Sequence, residues 1–197
     1  MIKAGIGLME ELKAYSSPKS KITRLIRSGE LIQLRRGLFF DTTESEYSTK
    51  VISGLLYGPS YVSFETALAY YSLIPEMVTI ITCAAYNKNK NKVYNTELGS
   101  FHYYHIPNAV YPLGLNQRQE SGYNFLIATP EKAILDMLYR QANKETDIYS
   151  YLIESMRMNF EDLSKLDSKV VSVLAPLYKR NLCLQFSQFL QKEVKNA

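Results

Sequence analysis

The chain of 197 residues has two histidines, two cysteines and no tryptophan. Each scarcity closes off a class of chemistry. His102 and His105 are three apart on an apolar, aromatic stretch that predicts a strand, where such positions face opposite ways, so they do not share a metal. Cys83 and Cys183 are far apart and match no zinc spacing. The cysteines read as free thiols, partly buried, of a cytosolic protein. No apolar run approaches the roughly 18 residues of a membrane-spanning helix. The Met1–Leu12 start carries Glu10 and Glu11 and is too charged for a signal peptide. Nucleophile-elbow, P-loop and dinucleotide-binding glycine patterns are missing too. A Ser63–His105–Asp136 triple is the one nucleophile–base–acid set worth naming, and any chain of this length offers such triples. The expectation is a cytoplasmic protein that is not an enzyme, with no metal and no cofactor.

Charge is distributed unevenly. The formal net charge is +4, but residues 1–40 hold eight basic side chains (Lys3, Lys13, Lys19, Lys21, Arg24, Arg27, Arg35, Arg36) against three acids (Glu10, Glu11, Glu30), a local +5. The other 157 residues hold 15 basic and 16 acidic groups. A basic head on a near-neutral body attracts phosphate or another anionic surface.

Periodicity outlines the head. Lys3–Ala14 predicts a short amphipathic helix, with Ile6, Met9 and Leu12 about one turn apart. Ser17 as N-cap and Pro18 at the first helical position open a second helix that runs to Ser28, with Gly29 as a left-handed terminator. Leu31–Leu34 and Leu38–Phe40 predict two strands joined by a turn at Arg35-Arg36-Gly37. On the second helix Ile22, Leu25 and Ile26 form one apolar stripe. Ser20, Arg24 and Arg27 lie opposite, flanked by Lys21 and Thr23. That face suits a major groove, where arginine binds guanine or clamps phosphate. Arg35 and Arg36 suit a wing on the duplex backbone. The competing reading is a solvated helix face, since surface helices carry such charges routinely. A full winged helix has three helices before the wing, and this chain offers room for two.

After a polar linker at Asp41–Ser48, a second region spans residues 47–197. Its β-rich part (60–128) holds predicted strands at Tyr61–Ser63, Val78–Ala84, Phe101–Ile106 and Tyr123–Ala128. Ser63 and Thr129 are placed as N-caps of helices reaching Tyr71 and Tyr139. The helical part (130–197) is read as Thr129–Tyr139, Ile148–Met156, a turn at Phe160–Leu166, Asp167–Tyr178 and Leu182–Lys195. Val170, Val173, Leu174 and Leu177 form one expected stripe, and Leu182, Phe186, Phe189 and Leu190 another. These helices read as an antiparallel pair packed on the second region; a homodimer surface is the alternative. Tyr70-Tyr71 and Tyr103-Tyr104 read as pairs with one ring in the core and one at the surface, or as platforms for stacked bases. The fold class is therefore α+β: a small winged-helix-like module (residues 1–42), then a larger mixed α/β domain ending in helices.

Three stretches resemble the AbiEi-type antitoxins of bacterial abortive-infection toxin–antitoxin systems. Gly29-Glu-Leu-Ile-Gln-Leu-Arg-Arg-Gly-Leu-Phe39 is similar to that family's wing. Pro59-Ser-Tyr-Val-Ser-Phe-Glu-Thr-Ala-Leu-Ala-Tyr-Tyr-Ser-Leu-Ile-Pro-Glu76 looks like its second motif, with Ser72 where the family usually has glycine. Ile127-Ala-Thr-Pro-Glu-Lys-Ala-Ile-Leu-Asp136 resembles its third. The resemblance implies a transcriptional autorepressor that binds its own operator as double-stranded DNA. It also implies a phage-defence antitoxin whose larger domain counteracts a nucleotidyltransferase-like toxin without a stable complex. Physically, Glu65 and Glu131 sit in first helical turns, where the dipole favours an anion. With Lys132 and Asp136 they are also the candidate partner contacts. The alternative function is a protein- or ligand-binding antagonist without DNA binding.

Overall fold

The computed structural model describes residues 2–43, 46–141 and 147–194. Residues 44–45 of the expected linker and Lys195 of the expected last helix lie outside them. The protein is α+β. A three-stranded antiparallel sheet with two helices is followed by a six-stranded mixed sheet, and the C-terminal region is helical.

The head begins with strand β1 (Ile2–Ala4) and helix α1 (Gly5–Glu11) rather than one helix from Lys3 to Ala14. The difference has a clear cause. Strand β3 (Leu38–Asp41) pairs with β2 (Leu31–Arg35) on one side, and its other edge has hydrogen-bonding groups to satisfy. Residues 2–4 fill that edge, with Ile2 opposite Phe40 and Ala4 opposite Leu38. Ile6, expected on the buried face, is consequently exposed, and Leu8 takes its place. Helix α2 (Pro18–Arg27) falls where expected, and Gly29 follows it in the left-handed conformation (φ 77°). Ser17 holds the N-cap position without capping: its hydroxyl lies 2.8 Å from that of Ser20.

The head sheet has two buried faces. Leu31, Phe39 and Leu8 form a small core against Leu12, Ile22, Leu25 and Ile26. The alternating residues Leu34, Leu38 and Phe40 belong to the main core of the second region, as a two-residue strand period requires.

Helix α3 (Thr49–Leu56) follows, with the Ser48 hydroxyl accepting from the Val51 N–H. The large sheet then runs β6 (Lys92–Thr96), β7 (Gly99–His105), β5 (Ile80–Ala85), β4 (Ser60–Val62), β9 (Tyr123–Ala128), β8 (Leu115–Glu120) in spatial order. β5 and β7 are parallel, as are β4 and β9; the remaining pairs are antiparallel. Adjacent residues of β7 show how the sheet is covered. The Tyr103 hydroxyl donates to the Ser53 carbonyl of α3, 2.6 Å away. The Tyr104 ring packs edge-on to Phe64 of helix α4 (Phe64–Tyr70), 5.2 Å between centroids. Tyr103 is buried and Tyr104 half-buried, which divides that pair as expected; Tyr70 is exposed and Tyr71 half-buried.

Helix α5 (Pro130–Arg140) follows β9, capped by the Thr129 hydroxyl, which accepts from the Lys132 N–H. Beyond it come a π-helical segment (Ser150–Ser155), α6 (Phe160–Ser164), α7 (Ser168–Leu174), a 3₁₀ turn (Ala175–Tyr178), α8 (Asn181–Phe189) and a second π segment (Leu190–Val194). Leu182, Phe186, Phe189 and Leu190 are buried together as their spacing implies. The stripe before them is phased differently. Val171, Leu174, Ala175 and Tyr178 are buried, while Val173 is 67% exposed and Leu177 is also exposed. Tyr178 sets that phase, because its hydroxyl is committed to a buried carboxylate.

Candidate functional site

Two sets of polar residues invite a function, one on the head surface and one inside the body.

On α2 the inner stripe (Ile22, Leu25, Ile26) packs on the small head core. Ser20, Thr23, Arg24 and Arg27 are exposed on the outside. The Thr23 hydroxyl donates to the Lys19 carbonyl at 3.1 Å, and the Lys21 ammonium lies 5.4 Å from the Tyr15 ring centre. The head's acids are spent elsewhere. Glu11 and Asp41 pair with Lys3, Glu10 pairs with Lys13, and Glu30 accepts from the Ser28 hydroxyl. Lys3 is accordingly held above its usual pKa, first by its bond to Glu11. Lys19, Lys21, Arg24, Arg27 and Arg36 have no ion-pair partner among the described residues. Arg24 and Arg27 also lie in the last turn of α2, where the helix dipole favours cations. Gly37 turns the hairpin at φ 76° and leaves Arg36 exposed at its tip. Arg35 is not at the tip. It lies in β2, and its guanidinium donates to the carbonyls of Arg36 and of Leu55 in α3, each at 3.4 Å.

In the body, the second and third motifs meet in one buried cluster. Asp136 of α5 accepts from Tyr61 (2.9 Å) and Ser63 (2.6 Å) through Oδ2, and from Tyr178 (2.5 Å) through Oδ1. Lys132, one turn earlier, lies 3.5 Å from Asp136 and donates to the Val110 carbonyl (2.9 Å) and the Tyr178 hydroxyl (3.1 Å). Lys132, Asp136 and Ser63 are each 0% exposed. Burial holds the Lys132 ammonium below its usual pKa, with Asp136 opposing that shift. It drives Tyr61 and Tyr178 well above theirs, an effect the Asp136 charge reinforces. Gly114 closes the wall: it has φ +62°, and a Cβ there would lie 3.1 Å from Lys132 Cδ.

This cluster corrects the expected role of Ser63. Its hydroxyl donates to Asp136 instead of capping α4, and Phe64 enters the helix at φ 55°. The cap comes from β5: the Thr82 hydroxyl accepts from the Thr66 N–H at 3.1 Å. Ser63 and Asp136 do meet, but His105 bonds to neither and is exposed beside Asn91, so the geometry assembles no nucleophile–base relay.

The four partner candidates are therefore not one surface. Lys132 and Asp136 are sealed inside, where no partner touches them. Glu65 pairs with Arg140, and Glu131 accepts from the Asp167 N–H at 3.1 Å. Tyr61, Tyr178 and Gly114 also belong to the cluster; Tyr61 lies in the second motif without a role of its own there, and Tyr178 and Gly114 carry no signal in the sequence. Tyr61 and Tyr178 are two among 16 tyrosines, and Gly114 sits in a loop. Among the described residues no group of three or more His, Cys, Asp or Glu is placed to hold a metal ion. No helix of the described residues is long and apolar enough to cross a membrane.

A separate cleft of about 520 Å³ opens between α3 and the β8–β9 hairpin. Its rim includes exposed Leu55, Tyr123 and Leu126.

No family model matches the chain, and no curated protein matches it. Among solved structures, the crystal structure of the RV2827C protein from Mycobacterium tuberculosis is similar over 96% of this chain and 71% of that one, with a TM-score of 0.65 and 14% identity. JHP933 from Helicobacter pylori aligns over 75% of this chain and 90% of its own, with a TM-score of 0.35 and 15% identity. At 14% identity the likeness to the mycobacterial protein is one of fold.

Proposed function

We propose that the protein is a cytoplasmic, non-enzymatic autorepressor that grips its own operator through a winged-helix-like head, and an antitoxin that counteracts a nucleotidyltransferase-like toxin. The observation that carries the DNA half is the pattern of pairing in the head. Its acids engage Lys3, Lys13 and Ser28 and leave the cations of α2 and Arg36 free. A helix whose inner face is packed and whose outer face presents hydroxyls and unpaired guanidiniums suits phosphate contact and base readout. Arg36 supplies a second contact on the wing.

The antitoxin half rests on the motif resemblance. The cleft beside α3 is an open place where a partner could sit on the body. If the head proved inert toward DNA, that cleft would support the second reading, an antagonist acting through protein or ligand binding alone.

The decisive experiment uses the full chain. Electrophoretic shift with the DNA upstream of its own reading frame gives saturable, salt-sensitive binding, which the triple variant Arg24→Ala/Arg27→Ala/Arg36→Ala loses. The slope of log affinity against log salt falls by about 0.9 for each phosphate contact removed. Absence of wild-type binding at low salt sinks the DNA half. Co-expressed with a neighbouring toxin, the triple variant still rescues growth while its operon is derepressed. Failure of the wild type to rescue sinks the antitoxin half.

A further inference from the structure

A pocket of about 270 Å³ lies where β7, α5 and the start of α8 converge, lined by Asn91, Tyr104, His105, Tyr139, Arg140 and Arg180. The proposed DNA contacts in the head contribute nothing to it. Among the described residues the lining holds two guanidiniums, an imidazole, an amide and two phenols, and no carboxylate.

The two arginines differ. Arg140 is paired with Glu65 and lies 4.5 Å from the Tyr104 ring centre and 5.1 Å from that of Phe64, so its charge is answered. Arg180 has no carboxylate partner among the described residues. One of its N–H groups donates to the Gln141 carbonyl at 2.9 Å, and its guanidinium stands 6.0 Å from the Tyr139 ring centre. That arrangement orients the group and leaves further donors unspent. His105 packs edge-on to the same ring at 6.2 Å, with Nδ1 3.4 Å from Asn91 Oδ1. Tyr139 thus holds a free guanidinium and an imidazole around one rim.

We infer that this pocket binds the phosphoryl group of a small phosphate monoester. Its donors outnumber the two oxygens of a carboxylate and suit the three terminal oxygens of a phosphoryl group, which guanidinium forks match well. The space exceeds that of a bare oxyanion. It shares Tyr104 and Arg140 with a second pocket of about 300 Å³, whose other lining residues are Glu65, Val78, Thr79, Ile80, Thr82 and His102. Together they approach the size of small-molecule sites. The ligand therefore carries a body larger than the phosphoryl group, seated in that second pocket against Val78 and Ile80.

An NMR titration of the ¹⁵N-labelled full chain with phenyl phosphate, inorganic phosphate and benzoate tests this. Saturable shifts centred on His105, Tyr139 and Arg180 are expected with phenyl phosphate. Inorganic phosphate should bind more weakly and benzoate not at all. Arg180→Ala should weaken phenyl phosphate binding roughly tenfold, the loss of one charged hydrogen-bond donor. His105→Asn provides a second variant should Arg180→Ala fold poorly. Shifts centred on Arg24 and Arg27, equal binding of benzoate, or wild-type affinity in both variants would overturn the assignment.

Discussion

Head and body handle charge in opposite ways. In the head, acids neutralise Lys3 and Lys13 at the surface and leave the cations of α2 unpaired. In the body, the charges within the motifs are internal or paired: Lys132 with Asp136, Glu65 with Arg140, and Glu76 with Arg157. The residues that make the body recognisable as sequence are thus the ones that hold it together. The plainer residues of the head are the ones free to meet a ligand. In the body the charged motif residues are held by their neighbours, whereas the cations of α2 and Arg36 in the head have no acidic partner among the described residues.

The strongest way to break that contrast is to remove the carboxylate at the centre of the body. Asp136→Ala leaves a buried ammonium without its counter-ion and three hydroxyl donors without their acceptor. Breaking a buried pair from one side typically costs about 3–5 kcal/mol. Urea denaturation should show a loss of that order. A loss below about 1 kcal/mol would mean that the cluster is not a structural lock. Gly114→Ala strikes the same cluster from its wall. The left-handed backbone and the 3.1 Å approach to Lys132 together should cost about 1–2 kcal/mol, visible as a lowered melting temperature. An unchanged melt would show that the loop can move away from Lys132.

How far the sequence was legible follows the same division. Helix α2, strands β5, β7 and β9 and helix α5 emerged from periodicity and caps within a few residues. β6, β8 and α3 did not, and neither did β1. β8 reads Leu-Asn-Gln-Arg-Gln-Glu and β6 reads Lys-Val-Tyr-Asn-Thr. Both are edge strands, paired on one side and largely solvated, so they need little apolar alternation. α3 is short, carries Gly54 and follows a polar stretch that suggested only a linker. Its contacts to both the head and the large sheet make it a helix. The buried cluster was half legible. Lys132 and Asp136 stood out as an i, i+4 pair within one motif, but their partners lie 42 to 75 residues away from Asp136, a separation that no local pattern encodes. A serine before a helix most commonly caps it; at Ser63 a buried carboxylate takes the hydroxyl instead.

Acid should loosen head and body at milder cost. The Thr43 hydroxyl and the Lys3 ammonium hold Asp41 below its usual pKa against a burial effect of opposite sign. For Glu120, burial pulls upward while the Ser48 hydroxyl and Lys50 more than offset it. Both carboxylates have folded values below their unfolded ones. Their contribution is therefore present above about pH 4 and is lost as pH falls through the folded values. Glu120→Gln should flatten the acid limb of the stability curve without changing the plateau shape near neutrality. An unchanged acid limb would remove Glu120 from that account.

The smallest expected effect on stability is the sharpest test of the comparison. Lys13 and Arg24 are both exposed cations of the head, and they differ in having an acidic partner: Glu10 answers Lys13, and no acid answers Arg24. Single exposed ion pairs contribute little, so Lys13→Ala and Arg24→Ala should both leave the denaturation midpoint nearly unmoved. Their effects on DNA should separate. Lys13→Ala also frees Glu10, so binding weakens only slightly through the general field. Arg24→Ala removes a contact, lowers affinity roughly tenfold at moderate salt and reduces the salt slope by about one. Equal losses in both variants would make the head a diffuse cationic patch, with no privileged face on α2. A loss confined to Arg24→Ala would assign that face to DNA and leave the paired lysine as scaffold.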